Sequence, residues 1–554
     1  MIRGTTRGEF VAGWVGVVTA CLVCSQAAIA ADPPAANPPA TQAPGSTPSA
    51  AAVPEPKKEY FDIIEFRVLG NSVLPVKDIE RAVYPYEGPH KTIDDVQAAK
   101  AALEKAYHDA GYATVFIDIP EQDVGPGIVR LRATEGRLDR VRVSGARFVS
   151  GRKILAGLPA VKEGAVPQLP ALQSQLGLLN AESADRSVVP VLKAGRTPGT
   201  VDLDLQVHDS LPFHYGETLN DRYTPETTRL RHTLDLSYGN LFQDYQSLAF
   251  EYQNAPERLD DERVFSLTYV APLGFGRNML ALFAVDTHSN VAAVGALSLL
   301  GTGDVYGAHF IHPFAAGGTY SQNLNFGADF KDFSQTINVV GQAPDKTPIR
   351  YINWSLVYSM NHSTPAHDTA VNLGVDFGIR GLPNDSNQFD YKRSGAEGDY
   401  LYLKGSVEQR QLLLFGMSLD AKVGFQIADS PLVSNEQFGL GGIDSVRGYL
   451  ESIELSDSGV TTQIELRTPT WNIGSNPANN HIGGFLFYDG GYAWVNEPLP
   501  LQQQTFTLES AGVGVRFIFF RGLDGMLEWA DPLRTVSTVA RGHSRVEFQV
   551  HYGF

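Results

Sequence analysis

Residues 436–449 read EQFGLGGIDSVRGY, and residues 483–494 read GGFLFYDGGYAW. The first stretch is a long glycine-rich loop carrying Val446, Arg447, Gly448 and Tyr449. The second is a strand in which Phe487, Asp489 and Gly491 share one face, because side chains of a strand alternate sides. If that face looks inward, a lone carboxylate sits inside the protein and requires a cation. Arg447 is the candidate, since its planar fork matches a carboxylate in a way that a lysine cannot. Gly448 lets the loop tip turn tightly, and Tyr449 can pack against a wall. Taken alone, the two stretches also fit a surface-loop arginine and an ordinary Asp-Gly-Gly turn. The surrounding chain decides between these readings.

From Pro212 onward the texture is repeated strands with one apolar and one polar face. Leu234, Leu236 and Tyr238 oppose Thr233, Asp235 and Ser237, and Leu373, Val375 and Phe377 oppose Asn372, Gly374 and Asp376. A soluble sandwich alternates too, so number and length must arbitrate. Sixteen segments of about ten residues begin near 212, 229, 245, 263, 278, 303, 322, 350, 369, 397, 416, 460, 483, 507, 523 and 545. Ten residues is what a tilted membrane strand needs. Links after even-numbered strands are mostly short (239–245, 272–277). Links after odd-numbered strands are often long (289–301, 332–350, 381–397). That asymmetry belongs to an outer-membrane barrel. The count puts the arginine loop between strands eleven and twelve and Asp489 on strand thirteen. In the last strand Val546, Phe548, Val550, Tyr552 and Phe554 face one way, while Glu547, Gln549 and His551 face the other.

Upstream, Arg3 and Arg7 precede the apolar run 11–23, and Ala28-Ile29-Ala30 supplies a small-x-small site, so 1–30 is expected to be a signal peptide. Residues 18–21 also resemble a lipoprotein box ending at Cys21. The only two cysteines, Cys21 and Cys24, lie in this segment, so a chain cut after Ala30 has no thiol. Residues 31–58 form a Pro/Ala-rich linker that cannot bury a core. A strand at 61–68, a short helix at 75–83 and a helix capped by Thr92 follow. That second helix has Val96, Ala99, Leu103, Ala106 and Tyr107 on one face and Gly111 at its end. Strands at 113–119 and 127–134 complete a β-α-α-β-β domain, 59–137. The pattern returns 75 residues later, where Val141-Arg142-Val143-Ser144-Gly145 echoes Phe66-Arg67-Val68-Leu69-Gly70. A second domain therefore spans 138–209, and residues 210–554 form the barrel.

The net charge of −17 argues against nucleic-acid binding. After residue 30 no apolar run is long enough for a membrane helix. No Walker loop, H-E-x-x-H, G-x-S-x-G or zinc-like cysteine set occurs. The paired acids Asp260 and Asp261 read as a solvated outer turn. Neither catalysis, nor a cofactor, nor a metal site is expected.

The V-R-G-Y loop with an F-x-D-x-G strand resembles the outer-membrane superfamily of protein translocases and barrel-assembly factors. The two repeats resemble POTRA domains, and Glu135-Gly136-Arg137 is like the turn joining such domains in two-partner secretion transporters. The resemblance covers nearly the whole chain and fits best the haemolysin/adhesin secretion-activation type. It implies α+β periplasmic domains followed by a 16-stranded antiparallel transmembrane β-barrel in outer-membrane lipid. It implies that the POTRA-like domains catch an unfolded secreted exoprotein passenger and that the barrel passes it outward; strand addition makes the edges near 115–119 or 188–192 the candidates for capture. It also implies that Arg447 and Asp489 lock the loop to the barrel, with Val446, Gly448, Tyr449, Phe487 and Gly491 in support. Phe548, Val550, Tyr552 and Phe554 resemble the signal read by the barrel-assembly machinery. A pore-plugging N-terminal helix, common in that family, is at odds with the prolines of 32–56. A barrel-assembly factor and a solute channel with periplasmic binding domains are the rival readings.

Overall fold

The computed structural model describes residues 59–554 except 226, 275–276, 295–296, 315–318, 338–344, 475–479 and 521. The signal-peptide, lipoprotein-box and linker readings, with Cys21 and Cys24, fall outside the described residues. The chain divides into two compact units that meet in sequence at Leu211 and Pro212.

The first unit holds two domains of one design. The first contains β1 (Phe61–Ile63), β2 (Glu65–Leu69), α1 (Val76–Val83), β3 (Gly88–Lys91), α2 (Ile93–Asp109), β4 (Val115–Asp118) and β5 (Ile128–Glu135). The second contains β6 (Arg137–Ser144), α3 (Gly151–Ala156), α4 (Leu169–Ala181), β7 (Arg186–Ala194) and β8 (Thr200–Asp209). The sheets run β2-β5-β4 and β6-β8-β7, with β2 parallel to β5 and β6 parallel to β8. In α2, Val96, Ala99, Leu103 and Tyr107 are buried at helical spacing and Ala106 packs beside them. Thr92 and Asp95 form a reciprocal capping box at the start of α2. Leu172, Leu176 and Leu179 do the same service for the second core. The short pair β1 and β3 had no alternating pattern to announce it.

The repeat runs deeper than the echoed strands. Gly70 and Gly145 both have φ of +85°, and a Cβ at either would lie 2.4 Å from a carbonyl oxygen of the last strand, on Ala133 or Val207. Only glycine fits there. Just beyond, the carboxylate ending each last strand gathers the backbone N–H groups of the following turn. Glu135 accepts from Ser72 N at 2.6 Å and Val73 N at 3.0 Å. Asp209 accepts from Phe148 N at 2.7 Å and, through both oxygens, from Arg147 N. One residue, Gly136, joins the two domains, and Arg137 reaches both ways, to Glu135 at 3.2 Å and to the Gly164 carbonyl at 3.1 Å.

The second unit is a closed antiparallel barrel. Its strands begin with β9 (Phe213–Asn220), β10 (Arg231–Leu241), β11 (Gln246–Asn254), β12 (Glu262–Pro272), β13 (Met279–Val294), β14 (Leu297–Pro313), β15 (Tyr320–Ile337) and β16 (Asp345–Ser363). They continue with β17 (His367–Gly378), then α5 (Ser386–Lys392) in a link, then β18 (Leu401–Leu412) and β19 (Ser418–Ala428). A small hairpin, β20 (Phe438–Leu440) with β21 (Glu454–Ser456), lies in the next link. The circuit ends with β22 (Ser458–Arg467), the two-residue β23 (Trp471–Asn472), β24 (His481–Trp494), β25 (Thr505–Phe519), β26 (Leu523–Pro532) and β27 (Arg545–Gly553). β23 only extends the ladder of β24, so sixteen strands make the wall. β27 pairs β9 from Gln549↔Asn220 to Gly553↔Gly216 and closes it.

The two sides of the wall differ as a membrane barrel requires. Leu267, Leu282, Leu356, Leu373, Leu486 and Leu527 are exposed outward, whereas Asn325, Asn353, Asp376, Gln426 and Asp489 are buried inward. Two links expected from sequence to be long are shortened by strand on both sides. β13 and β14 keep pairing to Val294↔Leu297, and β15 with β16 to Ile337↔Asp345. Residues 289–294, 297–301, 332–337 and 345–350 therefore belong to strands, because backbone pairing continues to satisfy N–H and C=O groups past the apolar band. The link 381–397 carries α5 instead of running free.

Candidate functional site

The link between β19 and β22, residues 429–457, does not stay outside. It folds into the lumen, and almost every residue of 440–450 is buried or half-buried. Glycine explains the path. Gly441 and Gly442 have φ of +105° and +100°, and Gly448 has +84°, a region costly for side-chain-bearing residues.

At the tip, Arg447 is 4 % exposed. Its Nε lies 2.8 Å from Asp489 Oδ2 and its Nη2 2.9 Å from Oδ1, a two-pronged pair. Its own backbone N–H also donates to Oδ2, at 3.1 Å. The third nitrogen, Nη1, reaches Glu465 at 2.9 Å and Glu528 at 3.3 Å. The guanidinium carbon sits 3.6 Å from the Phe487 ring centroid, so that ring carries the flat face of the cation. Gly448 N donates to both oxygens of Glu547 at 3.2 Å. One loop residue is thus held by β22, β24 and β26, and its neighbour by β27.

The supporting residues pack around that ionic centre. Val446, Tyr449, Leu440 and Leu450 form an apolar cluster with Ala493, Leu508 and Val539 of the wall and its links. The Tyr449 hydroxyl lies 3.0 and 2.9 Å from the carbonyl oxygens of Glu509 and Arg534. Gly491 is small for a reason: a Cβ there would come within 2.9 Å of Val446 and 2.5 Å of Leu440. Outside the tip, Arg222 of the first link holds Glu451 at 3.0 Å and also pairs with Asp444. Sequence reasoning singled out Arg447 and Asp489 but not Glu465, Glu528 or Glu547. Glu465 and Glu547 are each the lone acid of their strand, which was the available signal; nothing local tied any of the three to the loop.

The terminal-strand residues lie elsewhere, on the outer surface. Tyr552 and Phe554 are exposed, and Phe554 stacks on Tyr215 with centroids 5.5 Å apart. Among the described residues no cluster of three or more His, Asp or Glu side chains is arranged to hold a metal. Asp261 accepts from Thr228 N at 2.6 Å and pairs with Arg258, so it braces two links.

A sixteen-stranded barrel with a loop anchored in its lumen, preceded by two α+β domains, defines the POTRA-barrel class of outer-membrane proteins. Residues 199–517 match the family model described as haemolysin secretion/activation protein ShlB/FhaC/HecB, and residues 61–136 match the ShlB-type POTRA domain. The chain belongs to that haemolysin secretion/activation family. It is similar to the outer membrane transporter CdiB of Dickeya dadantii, at 21% identity over 78% of this chain and 76% of that protein. The solved structure of CdiB from Escherichia coli superposes with TM-score 0.62 at 19% identity, covering 92% of this chain and 93% of that one. CdiB from Acinetobacter baumannii gives 0.55 at 15% identity, covering 89% and 90%. A Haemophilus ducreyi BamA structure lacking POTRA domains 1–3 gives 0.54 at 14%, covering 89% of this chain and all of that one. These structural likenesses establish the fold. The family places the chain in the outer membrane as a two-partner secretion transporter that acts with a secreted exoprotein, with its POTRA domains in the periplasm.

Proposed function

We propose that this chain exports one dedicated exoprotein, haemolysin- or adhesin-like, by capturing it unfolded in the periplasm and conducting it through the barrel. The observation that carries the reading is the anchored loop. A segment of nearly thirty residues (429–457) occupies the lumen and is held at its tip by four strands. A polypeptide-sized occupant held at its tip by an ionic network suits a pore that must make room for a polypeptide. Arg447 and Asp489 are the lock, and release of the tip frees room for the passenger. Capture falls to the sheet edges. β4 and β7 are outer strands of their sheets, and strand addition binds an extended chain through its backbone with little demand on sequence. Phe116 on β4 and Val189 on β7 stand exposed and give such an edge apolar footholds. No Walker motif is present, so folding of the passenger outside supplies the drive. The outward residues Phe548, Val550 and Tyr552 of β27, with Phe554 just after it, serve as the signal by which the assembly machinery inserts the barrel.

The test is deletion of the chain followed by comparison of the medium and the outer membrane. Loss of one or two large exoproteins with normal porins is the expected result and identifies the passenger. A general fall in porins means a barrel-assembly factor instead. An unchanged secretome and unchanged porins mean a solute channel.

A further inference from the structure

Eleven residues before Arg447, a second loop carboxylate is buried in the lumen and is not used by the tip lock. Glu436 is 5 % exposed. Its Oε1 takes the ammonium of Lys331 at 2.6 Å and the hydroxyl of Tyr351, and its Oε2 takes the hydroxyl of Tyr402 at 2.8 Å. Its carbonyl accepts from Gln426 at 2.9 Å. Lys331 is itself 7 % exposed and is the cross-strand partner of Tyr351. These partners stand on β15, β16, β18 and β19, whereas the tip is held by β22, β24, β26 and β27. The loop therefore crosses the lumen and is fastened at both ends, by different chemistry.

The Glu436 end is continuous with a dry cluster inside the wall. Tyr351, Tyr400 and Tyr402 pack with Phe389 of α5 and with Leu432 and Val433 of the loop. Tyr351 meets Phe389 edge-on at 5.3 Å. Just after α5, Arg393 grips Asp457, the last loop residue, with Nη2 at 2.7 Å, and gives Nη1 to the Leu432 carbonyl at 2.6 Å. Asn496 N donates to the same Asp457 at 2.7 Å. The base of the loop and α5 thus form one packed body, while the two positive-φ glycines, Gly441 and Gly442, separate that body from the tip.

We propose that Glu436 is a positioning residue that fixes the base of the loop as a permanent lid, so that opening moves only the tip beyond Gly441 and Gly442. This rests on the reading above that the loop must shift for transport. A buried charge pair supports such a division. Removing one member strands the other in a dry site, whereas removing both together is far less disruptive.

The test uses the purified full chain in planar lipid bilayers, with ionic conductance measured at low voltage and heat-modifiable migration as the check of a folded barrel. Glu436→Gln keeps an acceptor for the tyrosines but leaves the Lys331 charge unpaired. It is expected to raise stationary conductance several-fold in folded barrels. The double variant Lys331→Met/Glu436→Gln removes both charges and is expected to return conductance towards wild type, a rescue that general loosening would not produce. Tyr402→Phe removes one hydrogen bond with the charge pair intact, and a smaller rise is expected. Wild-type conductance in folded Glu436→Gln, or no rescue in the double variant, overturns the proposal. Should Glu436→Gln fail to fold, Tyr402→Phe decides, and wild-type conductance there overturns it. No passenger is involved in this measurement. A response here with an unchanged secretome on deletion would keep the anchor and discard the export reading.

Discussion

Arg447 concentrates the case at the scale of one residue. Its fork meets Asp489 with two bonds, and its remaining nitrogen is shared by Glu465 and Glu528. A lysine offers one point charge and no flat face for Phe487. Breaking a buried pair by removing one partner costs about 3–5 kcal/mol, less wherever water reaches the lumen. Arg447→Ala is expected to abolish most export while heat-modifiable migration and surface level stay near wild type. Arg447→Lys should fall between the two, because it keeps the charge and loses the fork. Wild-type export by Arg447→Ala at matched membrane levels would remove the lock from the mechanism. Asp489 was readable from sequence because strand alternation put it beside Phe487 on an inward face with no local cation. Glu465 and Glu528 were not, since only the ladder β22-β24-β25-β26 and the infolded loop bring acids of separate strands around one guanidinium.

At the scale of elements, the two periplasmic domains show what a pattern reading reaches and where it stops. Helix faces such as Val96, Ala99, Leu103 and Tyr107 follow from spacing alone. The carboxylate nests do not, because Glu135 lies more than sixty residues from Ser72 and Val73. Sequence likewise stopped β13 and β15 too early and started β14 and β16 too late, because alternation marks the membrane-facing band whereas backbone pairing runs on beyond it. Burial pushes the Glu135 carboxyl up, but the bonds from Ser72 and Val73 and the charge of Arg137 outweigh it and hold it below its ordinary value of 4.5. A depressed carboxylate stabilises the folded state above its unfolded pKa, and that contribution is lost as pH falls through the lower folded value. Glu135→Ala leaves two N–H groups without their acceptor and should cost about 1–3 kcal/mol. Thermal unfolding of the periplasmic unit, which has its own two cores, is the check. The difference between wild type and Glu135→Ala should be full at pH 7 and shrink well below pH 4.5. A difference that is the same at both ends of that range would show that the nest contributes through shape and not through charge.

The molecule as a whole is a wall legible from its alternation and an interior that is not. Sixteen apolar-and-polar segments announce a closed sheet, and a glycine-rich link between the eleventh and twelfth announces an unusual loop. That the loop crosses the lumen from Glu436 to Arg447 depends on which inward side chains meet once the circuit closes, and no local pattern encodes it. On the proposed route through the lumen the crossing makes the loop an obstacle, and this can be tested by fastening the tip. A Cβ at Gly491 would come within 2.9 Å of Val446 Cγ2, so Val446→Cys with Gly491→Cys brings a thiol against its partner if Leu440 gives way. The cell exterior and periplasm are oxidising enough to form the bond. Export by this double variant is expected to fall to the level of a deletion strain and to return when a mild reductant is added to intact cells. Whatever either single cysteine exports should show no dependence on reductant. If the disulfide forms quantitatively in the membrane and the exoprotein still reaches the medium, the tip stays seated during transport. The passenger would then pass beside a loop whose two anchors, at Glu436 and Arg447, both stay closed.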